Sequence, residues 1–148
     1  MVDLSRVHHR DMLIALLAVL GVDLVVIVVL AALLISRRRW VSRRPGAFAG
    51  RIRAADGDFD GIGAKWQRGY GRWVRDVLVW TKAPLLFRNE LVPVDELASE
   101  RSGAPDELKR LGDDPIVIAL TTGATTIEVA AAGDDRGLLR GGLRPRED

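Results

Sequence analysis

An uninterrupted apolar stretch near the N-terminus constrains this chain more strongly than any other feature of its sequence. Residues 12–35 contain one ionisable side chain, that of Asp23, and are otherwise apolar. An α-helix rises about 1.5 Å per residue, so this stretch exceeds the roughly 30 Å of a bilayer hydrocarbon core. The sequence therefore predicts a transmembrane helix over residues 12–36.

A cleaved signal peptide is the alternative interpretation, because Arg6, His8, His9 and Arg10 precede the apolar stretch as a basic segment would. A signal peptide has an apolar core of about 7 to 15 residues, followed by a cleavage site of small residues. Here the stretch is longer and ends directly in Ser36 and three arginines. Both differences favour a retained, single-span anchor.

The basic residues on either side of the span predict its orientation. Two arginines precede it, whereas five follow it over the same distance. Positively charged flanks tend to remain on the cytoplasmic side of a membrane. We therefore expect a single-pass protein of the plasma (inner) membrane, with its N-terminus outside and the remaining hundred-odd residues in the cytoplasm.

The sequence divides into five predicted parts. They are an extracytoplasmic N-terminus (1–11), the transmembrane helix (12–36), a basic juxtamembrane linker (37–45), a cytoplasmic β-rich domain (46–143) and a frayed tail (144–148). The chain has no cysteine, which excludes disulfides, thiol nucleophiles and cysteine-ligated zinc.

Charge is distributed unevenly along the chain, although its net value is only +2. Residues 37–88 carry 13 Lys/Arg against 4 Asp, a net +9, while residues 89–148 carry 7 Lys/Arg against 13 Asp/Glu, a net −6. A basic half beside the span suits anionic lipid headgroups. Positive-inside topology with a solvated acidic surface explains the same charges. The candidate lipid or partner face comprises Arg37, Arg38, Arg39, Arg43, Arg44, Arg68 and Arg72.

Beyond residue 46, short β-branched or aromatic segments bounded by Gly, Pro, Asn or Asp predict a mainly-β domain. The candidate strands are residues 47–55, 64–73, 74–80, 85–87 together with 91–94, 116–120 and 126–131, which gives six or seven strands. Residues 121–125 favour a hairpin loop around Gly123. Residues 105–112 suit one or two helical turns, and residues 134–143 suit a short terminal helix that its glycines weaken.

Several motifs of the soluble part resemble those of a known family. They are Trp66-Gln-Arg-Gly69-Tyr70-Gly71-Arg72-Trp73, Asp76-Val-Leu78-Val-Trp80, Pro84, Arg88, Leu91, Arg101, Pro105-Asp-Glu107 and the closing hairpin of residues 116–131. Together they cover most of the chain and resemble the domain of unknown function 2550 family. Its members are small single-span proteins of high-GC Gram-positive (actinobacterial) origin, often encoded beside the F-type ATP synthase genes.

The resemblance implies a fold but no catalytic residues. A run of strands closed by a short helix resembles the split barrel of pleckstrin-homology and GRAM domains. Two segments depart from that pattern: residues 137–143 lack the expected aromatic helix, and the Asp/Gly-rich residues 56–61 occupy a variable loop.

The three aspartates of this loop, Asp56, Asp58 and Asp60, match the opening of an EF-hand calcium loop. The twelfth position is Gln67, where calcium binding requires a bidentate glutamate, and neither flank is predicted to be helical. A strand-connecting turn is therefore favoured over a weak calcium site. The pair His8-His9 lacks further ligands at suitable spacing, so we expect no metal and no cofactor.

Asp23 lies near the middle of the predicted span. A carboxylate at that depth costs about 2.5 to 3.5 kcal/mol on insertion scales, so it is a candidate for intramembrane contact with another membrane protein or a second copy of the chain. The alternatives are that Asp23 is protonated, or that the apolar helix tolerates it without any role.

Chemistry-bearing motifs are absent from the rest of the sequence. The soluble part has no histidine, and the chain has neither a P-loop nor a dinucleotide fingerprint. Aromatic residues interleaved with basic ones at positions 65–80 suit a core face with solvated charge better than nucleic-acid binding. We therefore expect a non-enzymatic adaptor or accessory factor of a membrane assembly, with an anionic-lipid-binding module as the alternative. An enzyme using carboxylates alone is the third candidate.

Overall fold

The computed structural model describes residues 4–56 and 58–143, and its first element is one long helix, α1, at Leu4–Ser42. Within α1, the segment Val7–Ser42 is long and apolar enough to cross a membrane, with a mean hydropathy of 3.2 in its apolar window. The chain divides into two compact units, one ending at Arg37 and the other beginning at Arg38. The predicted apolar helix is confirmed, and it continues through the arginines because no glycine or proline lies between Ile35 and Pro45.

Seven antiparallel strands follow α1. They are β1 (Phe48–Ala54), β2 (Gln67–Val74), β3 (Val77–Lys82), β4 (Asn89–Pro93), β5 (Glu96–Ser102), β6 (Ile116–Thr122) and β7 (Thr125–Ala131). They form one sheet in the order β4-β3-β2-β1-β7-β6-β5. The sheet is open between β4 and β5, and the chain crosses that opening at Val94 and Asp95. The Val94 amide donates to the Asp76 carbonyl beside β3, and the next amide donates to the Thr121 carbonyl of β6.

Alternating side chains of the strands build a single main core. Phe48, Ile52 and Ala54 point inward from β1, while Leu78 and Trp80 point inward from β3. Trp80 is the largest fully buried side chain. A buried tryptophan removes about 150–250 Å² from water, which contributes about 4–6 kcal/mol before entropy is subtracted.

Two glycines of β2 give the core aromatics their space. A Cβ at Gly71 would lie 2.4 Å from Cζ of Phe48, and one at Gly69 would lie 2.7 Å from Nε1 of Trp80. Both distances are shorter than any tolerated contact, so the aromatic rings pack directly on the backbone of β2.

A short helical segment closes the domain after β7. A 3₁₀ turn at Gly133–Asp135 leads into α2 at Arg136–Arg140, whose Leu139 is fully buried. Glu100 of β5 lies 2.5 Å from guanidinium nitrogens of both Arg136 and Arg140. Burial alone would raise the pKa of Glu100, but these two arginines outweigh it and lower that pKa. The fold is thus the predicted mainly-β domain, an open seven-stranded sheet with a short C-terminal helix.

Three local predictions were wrong or incomplete. Strand β5 was not predicted. It is an edge strand with one buried residue, Leu97, so its sequence resembles that of a charged loop. Residues 85–87 form a loop after the cis Ala83–Pro84 bond instead of a strand. Residues 105–112, predicted to form one or two helical turns, form a turn in which the Glu107 and Leu108 amides donate to the Ala104 carbonyl, and no regular helix. The tail predicted to be frayed, residues 144–148, lies outside the described residues.

Candidate anion-binding cleft

The floor of the cleft is the outer face of β1 and β2. Because side chains alternate along a strand, the inward Gly50 and Gly69 place their neighbours outward. The antiparallel register sets Arg51 directly opposite Arg68 and Ala49 directly opposite Tyr70. Two arginines and one tyrosine therefore share a small patch of the outer surface.

The Arg51–Arg68 pair is electrostatically unfavourable in the unliganded domain. Like charges directly opposite each other on neighbouring strands destabilise a sheet. Burial lowers the pKa of the Arg51 guanidinium, and the nearby charge of Arg68 lowers it further. Arg51 also donates to the Lys109 carbonyl, which fixes the side chain over the floor. An anion between the two guanidinium groups would relieve this repulsion.

The walls of the cleft come from three other parts of the same unit. The loop after β3 contributes Ala83, Pro84 and Leu86, the segment before β6 contributes Arg110 and Leu111, and Arg38 completes the lining. Together they enclose a volume of about 560 Å³. Arg38, Arg51, Arg68 and Arg110 thus line one space, and no carboxylate is among its described lining residues.

Two wall residues have strained backbones. Leu86 has φ of 56° and Arg110 has φ of 65°, in the left-handed region that residues other than glycine rarely occupy. Such conformations persist only where the surroundings hold them, and they cluster at ligand sites. Leu86 is held by its own burial and by its amide, which donates to the Lys82 carbonyl at 2.9 Å.

Arg38 is positioned by the tyrosine of the floor. Its Nε donates to the Tyr70 hydroxyl at 3.2 Å. The side chain keeps its remaining guanidinium donors available for a ligand, since an arginine has five N–H groups.

A network of ion pairs supports the wall that carries Arg110. Arg101 donates to both carboxylate oxygens of Glu107, at 2.9 and 3.1 Å, and Trp66 Nε1 donates to the same carboxylate at 3.2 Å. The bidentate hydrogen bonds from Arg101 lower the pKa of Glu107. Arg53 lies 2.5 Å from Glu128 in the same network. Arg53 and Arg101 are therefore paired with carboxylates, whereas no ion pair is described for the four arginines that line the cleft.

Four of the seven arginines of the predicted lipid or partner face line two recesses of the domain. Arg68 and Arg38 line the cleft, whereas Arg72 and Arg44 line a separate small recess. The Arg44 guanidinium lies 3.8 Å from the centroid of the Trp40 ring. The remaining three members of the face, Arg37, Arg39 and Arg43, lie outside the described lining of the cleft.

The predicted lipid or partner face did not include three further polar residues of the lining, Arg51, Tyr70 and Arg110. The alternation of β1 was visible and placed Arg51 outward, whereas Tyr70 was expected on the core face and instead lines the cleft. Only the register shows that Arg51 meets Arg68, and a slip of one residue would send either side chain to the other face.

The aspartate-rich loop is used structurally. The Asp56 carboxylate accepts a hydrogen bond from the Thr126 amide at 3.3 Å, and Phe59 and Ile62 exchange backbone hydrogen bonds of 2.9 and 2.6 Å. The loop is thus a strand-connecting turn, although Gly57 lies outside the described residues. In residues 4–56 and 58–143, no three His, Cys, Asp or Glu side chains are grouped to hold a metal.

Asp23 and the His8-His9 pair lie on exposed faces of α1.

Fold and cleft together define a class of protein: a single apolar helix followed by a split seven-stranded domain with an arginine-lined cleft. A family model described as Protein of unknown function (DUF2550) matches residues 24–139, most of the 148-residue chain. The chain belongs to this family, as the motifs around Trp66–Trp73 indicated. No curated protein and no solved structure matches the chain.

Proposed function

We propose that this protein is a non-enzymatic, membrane-anchored module that binds the phosphate-bearing headgroup of an anionic lipid in the four-arginine cleft. The observation that carries the proposal is the cleft itself, lined by Arg38, Arg51, Arg68 and Arg110 and by no carboxylate among its described residues. The sequence favoured an adaptor role, and the geometry favours its alternative.

The chemistry of the lining matches a phosphate group. A guanidinium is planar, permanently charged and forms paired hydrogen bonds with phosphate oxygens. Pockets that hold small ligands typically enclose about 300–1,000 Å³, and the cleft, at about 560 Å³, lies in that range. Its apolar wall residues Pro84, Leu86 and Leu111 suit the glycerol and first acyl carbons of a lipid.

The connectivity of the chain supports a lipid source for that phosphate. Arg38 follows Ile35, the last residue of the apolar run, by only three residues, about 4.5 Å of helix rise. If the apolar helix spans a bilayer, Arg38 is held at its surface, where anionic headgroups attract basic side chains. The proposal also includes an anchor in the inner membrane and a domain on the cytoplasmic side of that membrane. A cysteine replacing Ser102 should therefore react with an impermeant maleimide only in opened cells.

The test uses the full chain in nanodiscs of phosphatidylcholine, titrated calorimetrically with deacylated headgroups. Glycerophosphoglycerol should bind saturably, and glycerophosphocholine should not. Hydrogen bonds to charged groups contribute about 1.5–3 kcal/mol, so Arg68→Gln should weaken binding by about 10- to 100-fold. Arg72→Gln, four residues along the same strand and outside the cleft, is the matched control and should change affinity less than about twofold.

Two results would contradict the proposal. Equal losses in Arg68→Gln and Arg72→Gln would show attraction by overall charge without a specific site. Binding of inorganic phosphate with the same affinity as glycerophosphoglycerol would identify the source as a soluble anion instead of a lipid headgroup.

Asp23 favours a second candidate function, that of an adaptor which captures another membrane protein through the helix. This carboxylate is exposed on an apolar helix, where a partner in the bilayer would satisfy it. The association with ATP synthase that the family resemblance implies belongs to this candidate. Crosslinking in native membranes tests it: Asp23→Leu should insert normally and lose its crosslinked partner, and unchanged crosslinking would refute the role.

A further inference from the structure

We infer that the loop of residues 83–88 is a membrane-insertion loop, which places Leu85 and Phe87 in the headgroup–acyl boundary of a bilayer beside the cleft. The inference rests on the proposed function for its choice of a lipid surface as the partner. It adds an apolar contact with the membrane, made by Leu85 and Phe87, to the electrostatic contact made by the arginines of the cleft.

The loop displays bulky apolar side chains at its surface. Leu85 is 53% exposed and Phe87 is 68% exposed, whereas Leu86 between them is only 2% exposed. The buried leucine anchors the loop, so its two neighbours project from a fixed base. Leu91 of the edge strand β4 is 62% exposed and extends the same apolar character four residues further along the chain.

Backbone hydrogen bonds hold the loop in this shape. The Lys82 amide donates to the Arg88 carbonyl at 3.1 Å, which closes the loop across its base. The Ala83 amide donates to the carbonyl of Arg68 at 3.0 Å. The loop is therefore preorganised, so insertion would require little ordering of the backbone. It is also joined directly to the strand that supplies an arginine of the cleft.

The residues around the loop indicate a lipid bilayer as the partner. Pro84 and Leu86 form a wall of the arginine-lined cleft, so the exposed apolar side chains and the cationic cleft belong to adjoining surfaces. Arg88 follows Phe87 directly, with 80% of its side chain exposed. Apolar side chains flanked by basic ones suit the boundary between acyl chains and anionic headgroups. The predicted anchor in the same chain would tether the domain to a membrane.

The chain contains no cysteine, so a single introduced cysteine can report the position of the loop. We would label Leu85→Cys with an environment-sensitive nitrobenzoxadiazole dye and reconstitute the full chain in vesicles. The vesicles contain phosphatidylcholine alone or with phosphatidylglycerol, each with and without a nitroxide on the acyl chain. The matched control is Ala124→Cys, at the exposed tip of the β6–β7 hairpin.

In vesicles with phosphatidylglycerol, we expect the Leu85 probe to shift its emission to the blue and to be quenched severalfold more by the nitroxide than the Ala124 probe. A probe at Phe87→Cys should give the same result and guards against a local effect of one substitution. Equal, weak quenching at Leu85 and Ala124 would overturn the inference. A blue shift without nitroxide quenching would show that protein covers the loop, and would overturn it as well.

These experiments can refute the insertion of the loop and the headgroup binding of the cleft independently of each other. Leu85→Ser should abolish insertion and leave the affinity for glycerophosphoglycerol within about twofold of the original, because the side chain does not line the cleft. Insertion of the probe without headgroup binding in the calorimetric titration would support the loop and refute the proposed function. Headgroup binding without insertion of the probe would support the proposed function and refute the membrane-insertion loop.

Discussion

Replacing Arg68 by glutamine should stabilise the domain while it weakens the proposed ligand binding. Arg68 lies directly opposite Arg51 in the β1–β2 register, and the cleft lining offers no described carboxylate to neutralise either charge. Cross-strand charge pairs contribute about 0.2–1 kcal/mol. Because Arg68 is exposed and screened by solvent, we expect about 0.5 kcal/mol of relief at low salt. For a domain of roughly 100 residues this corresponds to a rise in Tm of about 2–4 °C.

The assay is thermal unfolding of the full chain in phosphatidylcholine nanodiscs without ligand, followed by tryptophan fluorescence, to which the buried Trp80 contributes. The rise in Tm for Arg68→Gln should shrink in high salt, since added ions screen the repulsion. Arg72→Gln is the control, because the residue opposite Arg72 on β3 is the uncharged Val79. A lower Tm for Arg68→Gln, or an equal rise for Arg72→Gln, would refute the reasoning.

Three further predictions concern stability and metal binding. Because the pKa of Glu107 is lowered in the folded state, its ion pairs stabilise the domain above the ordinary carboxyl pKa of 4.5, and this contribution is lost as the pH falls below that value. Denaturant unfolding from about pH 6 to pH 3 should show a smaller loss of stability in Glu107→Gln than in the original chain. Gly71→Ala should lower the unfolding free energy by about 1–3 kcal/mol, because its Cβ would meet the Phe48 ring, and an unchanged denaturation midpoint would contradict that packing. Millimolar calcium should leave Tm unchanged, whereas a calcium-specific rise that is lost in Asp58→Ala would contradict the turn assignment.

The elements that local sequence specifies could be predicted, and those that depend on tertiary contacts could not. The hairpin between β6 and β7 was visible because Gly123 supplies the positive φ, 57°, that the turn requires. Strand β5 was not visible, since its edge position lets charged side chains face solvent on most of its length. In the cleft, Arg38 and Arg68 were among the predicted residues from charge alone. Arg110 was not, because it comes from a loop whose path is set by the ion pairs of Glu107 and the burial of Leu108.

The most direct test of the central claim is protection of individual arginines from phenylglyoxal, measured by peptide mass spectrometry on the full chain in vesicles. If a headgroup occupies the cleft, Arg68 and Arg110 should react more slowly with phosphatidylglycerol present than in phosphatidylcholine alone. Arg75, exposed at the β2–β3 turn, should react equally in both. Equal reactivity of Arg68 and Arg110 in the two membranes, or equal protection of Arg75, would contradict binding in the cleft.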